Sequence, residues 1–162
     1  MPGKPLALDD IDHQLLAELQ ADADRTLRDL GELVGLSPSA VLRRVEGYKA
    51  GGLLERKVAV LDTSQVPDLV LAVCLVTVER QTPEHRRAFC DLLKRTPQVQ
   101  QVYDVSGVWD YVVILAAHGL PEVRELAERL FEADENVRKL TTLFVLDPVK
   151  TGCAVPTRPM EA

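Results

Sequence analysis

Apolar residues recur at helical spacing through the first third of the chain and give way to strand-like runs further on. Three apolar stripes in the first part predict three short helices, separated by capping residues and glycines. Asp9 or Asp10 caps the first helix, Thr26 caps the second, and Ser37 with Pro38 begins the third. The stripes are Ile11, Leu15, Leu16 and Leu19, then Leu27, Leu30, Leu33 and Val34, then Val41, Leu42, Val45 and Tyr48. This pattern predicts a compact trihelical core.

Residues 26–54 have the layout of a helix, a tight turn at Gly35 and a second helix. In a helix-turn-helix, that second helix lies in the DNA major groove. The side opposite its apolar stripe carries small and basic residues, namely Ser39, Ala40, Arg43, Arg44 and Gly47. Small residues allow close approach to DNA, and arginines bind phosphates or guanine edges. A solvated amphipathic helix is the alternative, but the agreement of caps, turn and apolar stripe favours DNA binding.

Beyond residue 56 the chain alternates β-prone runs with two helical segments. Residues 57–61 predict a short connecting strand, and a polar break follows over 62–68. We expect longer strands over 69–79, 99–104, 109–117 and 140–146, and helices that begin at Pro83 and at Pro121. Their core sides are Phe89, Leu92 and Leu93, then Val123, Leu126, Leu130 and Phe131. The order β-α-β-β-α-β predicts an α+β fold of ferredoxin-like type, with two helices on one face of four antiparallel strands.

The predicted strands are apolar on both faces, with Val73, Leu75, Val113, Leu115, Phe144 and Leu146 as examples. Because a ferredoxin-like sheet leaves one face without helices, we expect that face to pack against a second copy of the chain. Contact with the first domain is the alternative. The predicted boundaries are a helix-turn-helix domain over 1–56, a connecting strand and linker over 57–68, a ferredoxin-like domain over 69–150 and a tail over 151–162. The tail is either disordered or clasps a neighbour.

Composition narrows the class of protein. A hydrophobic share of 46% in 162 residues is enough for a packed core. No apolar run approaches the length of a membrane span and the first residues lack a signal-peptide core, so we expect a cytoplasmic protein without a membrane partner. Cys74, Cys90 and Cys153 are odd in number and lack ligand-like spacing, so we expect reduced thiols. The three histidines are scattered, and we expect neither a metal site nor a cofactor.

Charge is unevenly distributed along the chain. The formal net charge of −6 argues weakly against nucleic acid. Residues 43–57 nevertheless contain five basic and two acidic side chains, whereas residues 61–162 contain 11 basic and 15 acidic ones. Because phosphate neutralisation supplies much of the affinity for DNA, one small basic patch binds weakly. We therefore expect a dimer that places two patches on two half-sites.

The predicted turn between the second and third long strands is a further place where we expect chemistry. Ser106 and Gly107 expose backbone amides there, and the glycine lets a ligand approach the main chain. Asp104 and Asp110 flank the turn and could hold an ammonium group while the amides hold a carboxylate, as a small zwitterion requires. An ordinary hairpin turn with solvated aspartates and a core Trp109 is the alternative. From the chemistry alone, that alternative is favoured.

Three segments together resemble the Lrp/AsnC (leucine-responsive/asparagine-operon) family of bacterial and archaeal transcription regulators. The opening LDDIDHQLL, placed before a helix-turn-helix, is similar to the family's LD-x-ID-x-x-IL pattern. VSGVWDYVVILAA resembles its (V/T)-(S/T)-G-x-x-DY strand-turn-strand, and TTLFVLDPVK resembles its closing strand. The resemblance extends from residue 8 to about residue 150, and the order of the pieces makes it specific.

The resemblance implies a sequence-specific DNA-binding regulator and not an enzyme. It implies a homodimer built through the ferredoxin-like domains, often assembled into octamers, with an amino acid or similar small effector at an interface. Carried over by position, the residues that face double-stranded DNA are Thr26, Ser37, Pro38, Ser39, Ala40, Arg43 and Arg44. The effector-binding residues are Asp104, Ser106, Gly107, Val108, Trp109 and Asp110, with Thr142 contributed from another subunit.

The chain departs from this family pattern at two places. Many relatives carry two basic residues where this chain has Glu46 and Gly47, and an acidic one where it has Lys49. We therefore expect DNA contacts to concentrate in the first two turns of the third helix. Val108 and Trp109 add apolar groups to the effector loop, which predicts a preference for an apolar or aromatic amino acid.

Two other functions remain open. A sirohaem decarboxylase shares a similar two-domain architecture, but the resemblance to those enzymes would call for arginine and histidine clusters in the second half. His85 and His118 have no arginine-flanked motif. The other alternative is a ligand-binding module that has lost DNA binding.

Overall fold

The computed structural model describes residues 6–158 and separates them into two units. The first, which we call the reader unit, contains the chain up to Val60 together with the segment that begins at Lys150. The second, the sheet unit, spans Leu61–Val149. The first five residues of the predicted 1–56 domain and residues 159–162 of the predicted tail lie outside the described residues.

The reader unit contains three helices, α1 (Asp10–Ala21), α2 (Leu27–Val34) and α3 (Pro38–Ala50). Their caps are the predicted ones, Asp9, Thr26 and Ser37, each accepting a backbone N–H of the first turn. The trihelical core is confirmed, and its buried members are Leu15, Leu16, Leu19, Leu30, Val34, Val41, Val45 and Tyr48.

Two residues of the predicted apolar stripes, Leu33 and Leu42, are not buried, so the prediction is wrong for them. Leu33 is 54% exposed and Leu42 is 42% exposed. Val41, Val45 and Tyr48 are spaced by four and three residues and already fill the inner side of α3. Leu42, rotated roughly 100° from Val41, lies at the margin of that side.

The sheet unit contains β1 (Leu69–Val78), α4 (Pro83–Arg95), β2 (Val99–Asp104), β3 (Tyr111–His118), α5 (Gly119–Ala127) and β4 (Val137–Phe144). The strand order is β2-β3-β1-β4, and every neighbouring pair is antiparallel. This is the predicted ferredoxin-like arrangement. A π-helical turn, Glu128–Glu132, extends α5.

Both helices of the sheet unit pack on one face of its sheet. The buried side chains of that face alternate along β1 and β3 and meet Phe89, Leu93, Leu130 and Phe131. Leu92, which the sequence places on the core side of α4, is 36% exposed, so the prediction is wrong for this residue. On the other face, half-buried or exposed apolar side chains line up, namely Leu71, Val73, Leu75, Val112, Ile114 and Leu143.

The predicted connecting strand over 57–61 does not form within the single chain. These residues have irregular backbone, and Val58 and Val60 are 63% and 87% exposed. A strand exists only when a neighbour completes its ladder of hydrogen bonds. In the described chain the outer strands of the sheet are β2 and β4, and neither pairs with this segment. A short 3₁₀ turn, Thr63–Gln65, follows it.

Three other boundaries shift. β3 begins at Tyr111, not at residue 109, because Trp109 and Asp110 belong to the preceding loop. α5 begins at Gly119, ahead of Pro121, because the Glu122 carboxylate accepts the His118 N–H at 2.6 Å and closes the first turn. β4 covers 137–144 and leaves Leu146 beyond its end, 98% exposed.

Candidate nucleic-acid interface and effector loop

A close backbone approach defines the turn between α2 and α3. The Leu36 N–H donates to the Gly31 carbonyl at 2.9 Å, and a Cβ on Gly31 would lie 2.4 Å from the Leu36 carbonyl oxygen. Gly35 closes α2 in the left-handed region with φ 71°. These two glycines allow the backbone before α3 to pass close to α2, as the tight turn of a helix-turn-helix requires. Gly31 was missed in the sequence because a glycine inside a helical stripe carries no visible signal of close approach.

The N-terminal end of α3 presents small polar groups to solvent. The Ser37 hydroxyl accepts the Ala40 N–H at 3.3 Å and lies 3.1 Å from the Ser39 hydroxyl. Ser37, Pro38 and Ser39 are exposed, and Ala40 is half-buried. Thr26 is exposed at the start of α2, where its hydroxyl accepts the Asp29 N–H. These are the features that let a helix end approach a phosphate backbone.

Arg43 and Arg44 are adjacent in sequence and differ completely in their surroundings. Arg43 is exposed, and among residues 6–158 its guanidinium makes neither an ion pair nor a hydrogen bond. The Arg44 guanidinium donates to both Asp9 oxygens at 3.0 and 2.9 Å and to Asp12 Oδ1 at 2.5 Å. Arg44 therefore ties α3 to the first turn of α1, while Arg43 extends from α3 toward solvent.

The carboxylate of Asp12 is the centre of this contact. The Tyr48 hydroxyl donates to Asp12 Oδ1 at 2.5 Å, and the Asp12 side chain is only 10% exposed. Burial alone would raise the pKa of Asp12, but hydrogen bonds from Tyr48, the Asp9 N–H and Arg44 lower that pKa to about 2. Hydrogen bonds to Asp9 and Asp12 raise the pKa of Arg44, and burial with the Asp12 bond raises the pKa of Tyr48. We call Asp9, Asp12, Arg44 and Tyr48 the helix clamp.

The effector loop, residues 105–110, joins β2 to β3. The Val105 N–H donates to the Asp110 carbonyl at 2.9 Å, and the Asp110 N–H donates to the Val76 carbonyl at 2.9 Å. Between these anchors Ser106, Gly107 and Val108 are exposed, and Gly107 has φ 146°. Within the described chain the N–H groups of these three residues donate to no backbone acceptor. The N–H groups of Ser106, Gly107 and Val108 are therefore available as donors in the described chain.

Asp104, which precedes this loop, and Asp110, its last residue, already have partners. Asp110 accepts the Val78 N–H at 2.8 Å and the Gln81 side-chain amide at 2.5 Å. Asp104 forms an ion pair with Arg86 of α4, with an N–O distance of 2.6 Å. Asp110 thus fastens the loop to the end of β1, and Asp104 fastens β2 to α4. An ammonium group at either carboxylate would have to share it with these partners.

Trp109 lies beneath a lysine of the edge strand. The Lys139 ammonium is 4.9 Å from the centre of the Trp109 ring, a cation–π distance. Lys139 pairs with Thr77, whose hydroxyl is buried and has no hydrogen-bond partner in the described part of the chain. Thr142 lies on the opposite face of β4, where its hydroxyl is 3.8 Å from the Cys74 sulfur. One copy of the chain therefore brings residues 104–110 together and keeps Thr142 on the helix side of the sheet.

The described residues give little support for a metal site, a disulfide or a membrane-spanning helix. In the described part of the chain, the histidine, cysteine, aspartate and glutamate side chains form no group of three that could hold a metal ion. Cys74, Cys90 and Cys153 are all free, and burial raises the pKa of the Cys74 thiol. No helix among residues 6–158 is long and apolar enough to cross a membrane.

Comparison with known protein families matches both units. The AsnC-type helix-turn-helix domain matches residues 8–48, and the Lrp/AsnC ligand binding domain matches residues 71–155. A leucine-responsive regulatory protein of Rhizobium meliloti is 31% identical over 91% of this chain and 95% of its own length. An uncharacterised helix-turn-helix-type transcriptional regulator of Sinorhizobium fredii is 30% identical over 93% of this chain and 89% of its own length.

Solved structures agree with these matches. An AsnC family transcriptional regulator from Agrobacterium tumefaciens superposes with a TM-score of 0.84 at 25% identity, covering 92% of this chain and 97% of that one. A transcriptional regulator from Neisseria meningitidis, solved as a complex with L-methionine, gives the same TM-score and identity and covers 93% and 97%.

Proposed function

The chain belongs to the Lrp/AsnC family of helix-turn-helix transcriptional regulators, and we propose from its geometry how it binds DNA and which effector it senses. Arg43, together with Ser37 and Ser39, contacts the operator, while Arg44 holds α3 in position. The observation that carries this division is the pairing of Arg44 with Asp9 and Asp12, beside an Arg43 that has no partner among residues 6–158.

The division of roles between the two arginines rests on charge and on access. A guanidinium that already donates to two carboxylates has its charge neutralised and its donors occupied, so it adds little to phosphate binding. An exposed guanidinium on the second turn of α3 can form a bidentate contact with a guanine edge or neutralise a phosphate. The exposed Ser37, Pro38 and Ser39, with the half-buried Ala40, leave space for the backbone of DNA at the start of the helix.

The test is a mobility shift with DNA from upstream of the protein's own gene. Arg43→Ala is expected to weaken binding about tenfold or more, since one good base contact is worth roughly 1–3 kcal/mol. Arg28→Ala removes an exposed arginine of α2 whose ion-pair partner among residues 6–158 is Glu32, and is expected to leave binding within about twofold. Equal affinities of the two variants would refute the role of Arg43, and the absence of any shift with the wild-type protein would support the alternative module without DNA binding.

We infer further that two copies associate through the sheet face that carries Leu71, Val73 and Leu75. Both helices of the sheet unit cover the opposite face, so the apolar side chains of this one are left half-buried, and Leu143 beside them is 51% exposed. A twofold contact between sheets would also bring two readers to two half-sites. Assembly into octamers belongs to the same proposal. Sedimentation of the full chain, with and without Val73→Lys, tests the contact.

For the effector we propose an apolar amino acid at the effector loop. The N–H groups of Ser106, Gly107 and Val108 would receive its carboxylate, and the exposed Val108 with Trp109 would contact its side chain. The L-methionine bound to the Neisseria relative supports this class. Asp104 and Asp110 contribute through the loop that they hold, and Thr142 contributes from another copy.

A thermal-shift panel of the common amino acids tests this assignment. We expect stabilisation by methionine, leucine or an aromatic amino acid, and none by aspartate or lysine. Val108→Asp should abolish the shift, because it places a carboxylate beside the incoming carboxylate. Stabilisation by charged amino acids alone would refute the apolar preference.

We also infer that the protein acts with DNA in the cytoplasm and catalyses no reaction, as its family membership supports. Following the absorbance of added sirohaem tests the enzyme alternative. A spectral change with turnover would overturn this inference.

A further inference from the structure

The C-terminal segment of the chain lies against the outward face of α1 within the reader unit. The Gln20 side-chain amide donates to the Val155 carbonyl at 3.1 Å and accepts the Val155 N–H at 2.8 Å. An amide that bonds both backbone groups of one residue imitates the pairing of a neighbouring β-strand. Gln20 therefore recognises an extended backbone, independent of the side chain that Val155 carries.

Two further contacts fix the direction of this segment. The Thr157 hydroxyl lies 2.9 Å from His13 Nδ1, and the Arg158 guanidinium lies 3.6 Å from an Asp10 oxygen. As the segment advances from residue 155 to 158, its partners step back along α1 from residue 20 to 10. The two segments thus run antiparallel, and none of the partners on α1 belongs to its buried stripe.

The distances along both chains agree with this register. From Gln20 to Asp10 the helix advances about 15 Å at 1.5 Å per residue. Three extended residues span about 10 Å, and the long Arg158 side chain covers the rest. The acidic first turn of α1 also attracts the Arg158 cation.

We propose that Asp10, His13 and Gln20 form a docking surface on α1 whose occupant is the C-terminal segment 153–158 of this chain. In this surface the Gln20 amide pairs with extended backbone, the His13 imidazole forms a hydrogen bond with a hydroxyl, and the Asp10 carboxylate forms an ion pair with a guanidinium. Its occupant touches α1 and leaves Ser39 and Arg43 exposed. The chain leaves the reader unit after Val60 and returns to it at Lys150.

Amide hydrogen exchange on the full chain, measured residue by residue by NMR, tests this docking. The Val155 amide should exchange more slowly than that of Cys153. Gln20→Ala should speed the exchange of Val155 by roughly threefold to tenfold, the range expected for losing one net hydrogen bond. Gln14→Ala, which alters an exposed glutamine of α1 outside the docking surface, should leave it unchanged.

Gln20→Glu distinguishes the two halves of the amide contact. The carboxylate of this variant would still accept the Val155 N–H but could not donate to the Val155 carbonyl. The exchange rate of the Val155 amide in this variant should therefore fall between the rates in wild type and in Gln20→Ala. Circular dichroism should show the wild-type helix content in all three variants. An unprotected Val155 in the wild type, or equal exchange in Gln20→Ala and Gln14→Ala, would overturn the proposal.

Discussion

Replacing Asp12 with asparagine should weaken the reader unit in a way that depends on pH. Asparagine retains an acceptor for the Tyr48 hydroxyl but loses the charge that Arg44 pairs with. The pKa of Asp12 falls from its usual 3.8 to about 2 on folding. At 1.36 kcal/mol per unit, this difference corresponds to about 2 kcal/mol of stability at neutral pH.

The sign follows from the direction of the shift. Because the folded pKa is the lower one, the unfolded chain binds a proton first as pH falls. The contribution is therefore complete above about pH 5 and is lost as the pH approaches 2, with roughly half remaining at pH 3. The stability gap between wild type and Asp12→Asn should thus narrow by about 1 kcal/mol between pH 7 and pH 3.

Urea unfolding provides the assay, with the two units followed separately. Helical circular dichroism at 222 nm follows the whole chain, and fluorescence of Trp109, the single tryptophan, follows the sheet unit. Asp24→Asn removes an exposed carboxylate near the end of α1 and serves as the control. A gap below about 0.5 kcal/mol at pH 7, or one of equal size at both pH values, would refute the account of the helix clamp.

Three other changes give sharp outcomes. Gly31→Ala should destabilise the reader unit by about 2 kcal/mol or more, because the added Cβ collides with the Leu36 carbonyl. Gly47→Ala, where a Cβ meets nothing, should stabilise α3 by roughly 0.5–1 kcal/mol. Chemical unfolding followed by circular dichroism at 222 nm compares the two variants. Lys139→Met should remove about 0.5–1 kcal/mol from the sheet unit and change Trp109 emission, and an unchanged spectrum would contradict the cation–π contact. If the proposed dimer forms through the sheet face, Val73→Lys should convert it to monomers in sedimentation and lower operator affinity at least tenfold, and a stable dimer would exclude this face.

How far the fold could be predicted depends on the range of the interactions that determine it. A cap and the N–H that it accepts lie within three residues, so Asp9, Thr26 and Ser37 could be identified in the sequence. The strand order could be predicted from the succession of elements. The start of β4 could not, because Arg138 and Lys139 are polar, and pairing with β1 across a bulge makes them strand residues.

The sequence places Asp104 correctly at the end of β2, whereas Asp110 lies in the effector loop and not in the predicted strand. The sequence reveals the partner of neither, since Arg86 comes from α4 and Gln81 from the segment before it. Neither partner is visible from local spacing, because a periodic pattern indicates which side a residue faces and not what it meets there. The prediction that these aspartates hold an ammonium group therefore stays a prediction.

The two arginines of α3 illustrate the same limit and bear on the need for a dimer. Adjacent side chains on a helix point in directions that differ by roughly 100°. Arg43 therefore faces solvent, while Arg44 binds Asp12, which lies 32 residues earlier in the sequence. With Arg44 neutralised by carboxylates, each reader has one fewer cation available for phosphates than its sequence suggests. Since the affinity for DNA and its dependence on salt both rise with the number of phosphates neutralised, one reader alone would bind DNA poorly. The acidic first turn of α1 thus stabilises the position of α3 and, for the same reason, lowers the affinity of a single reader unit for DNA, which supports the proposed dimer.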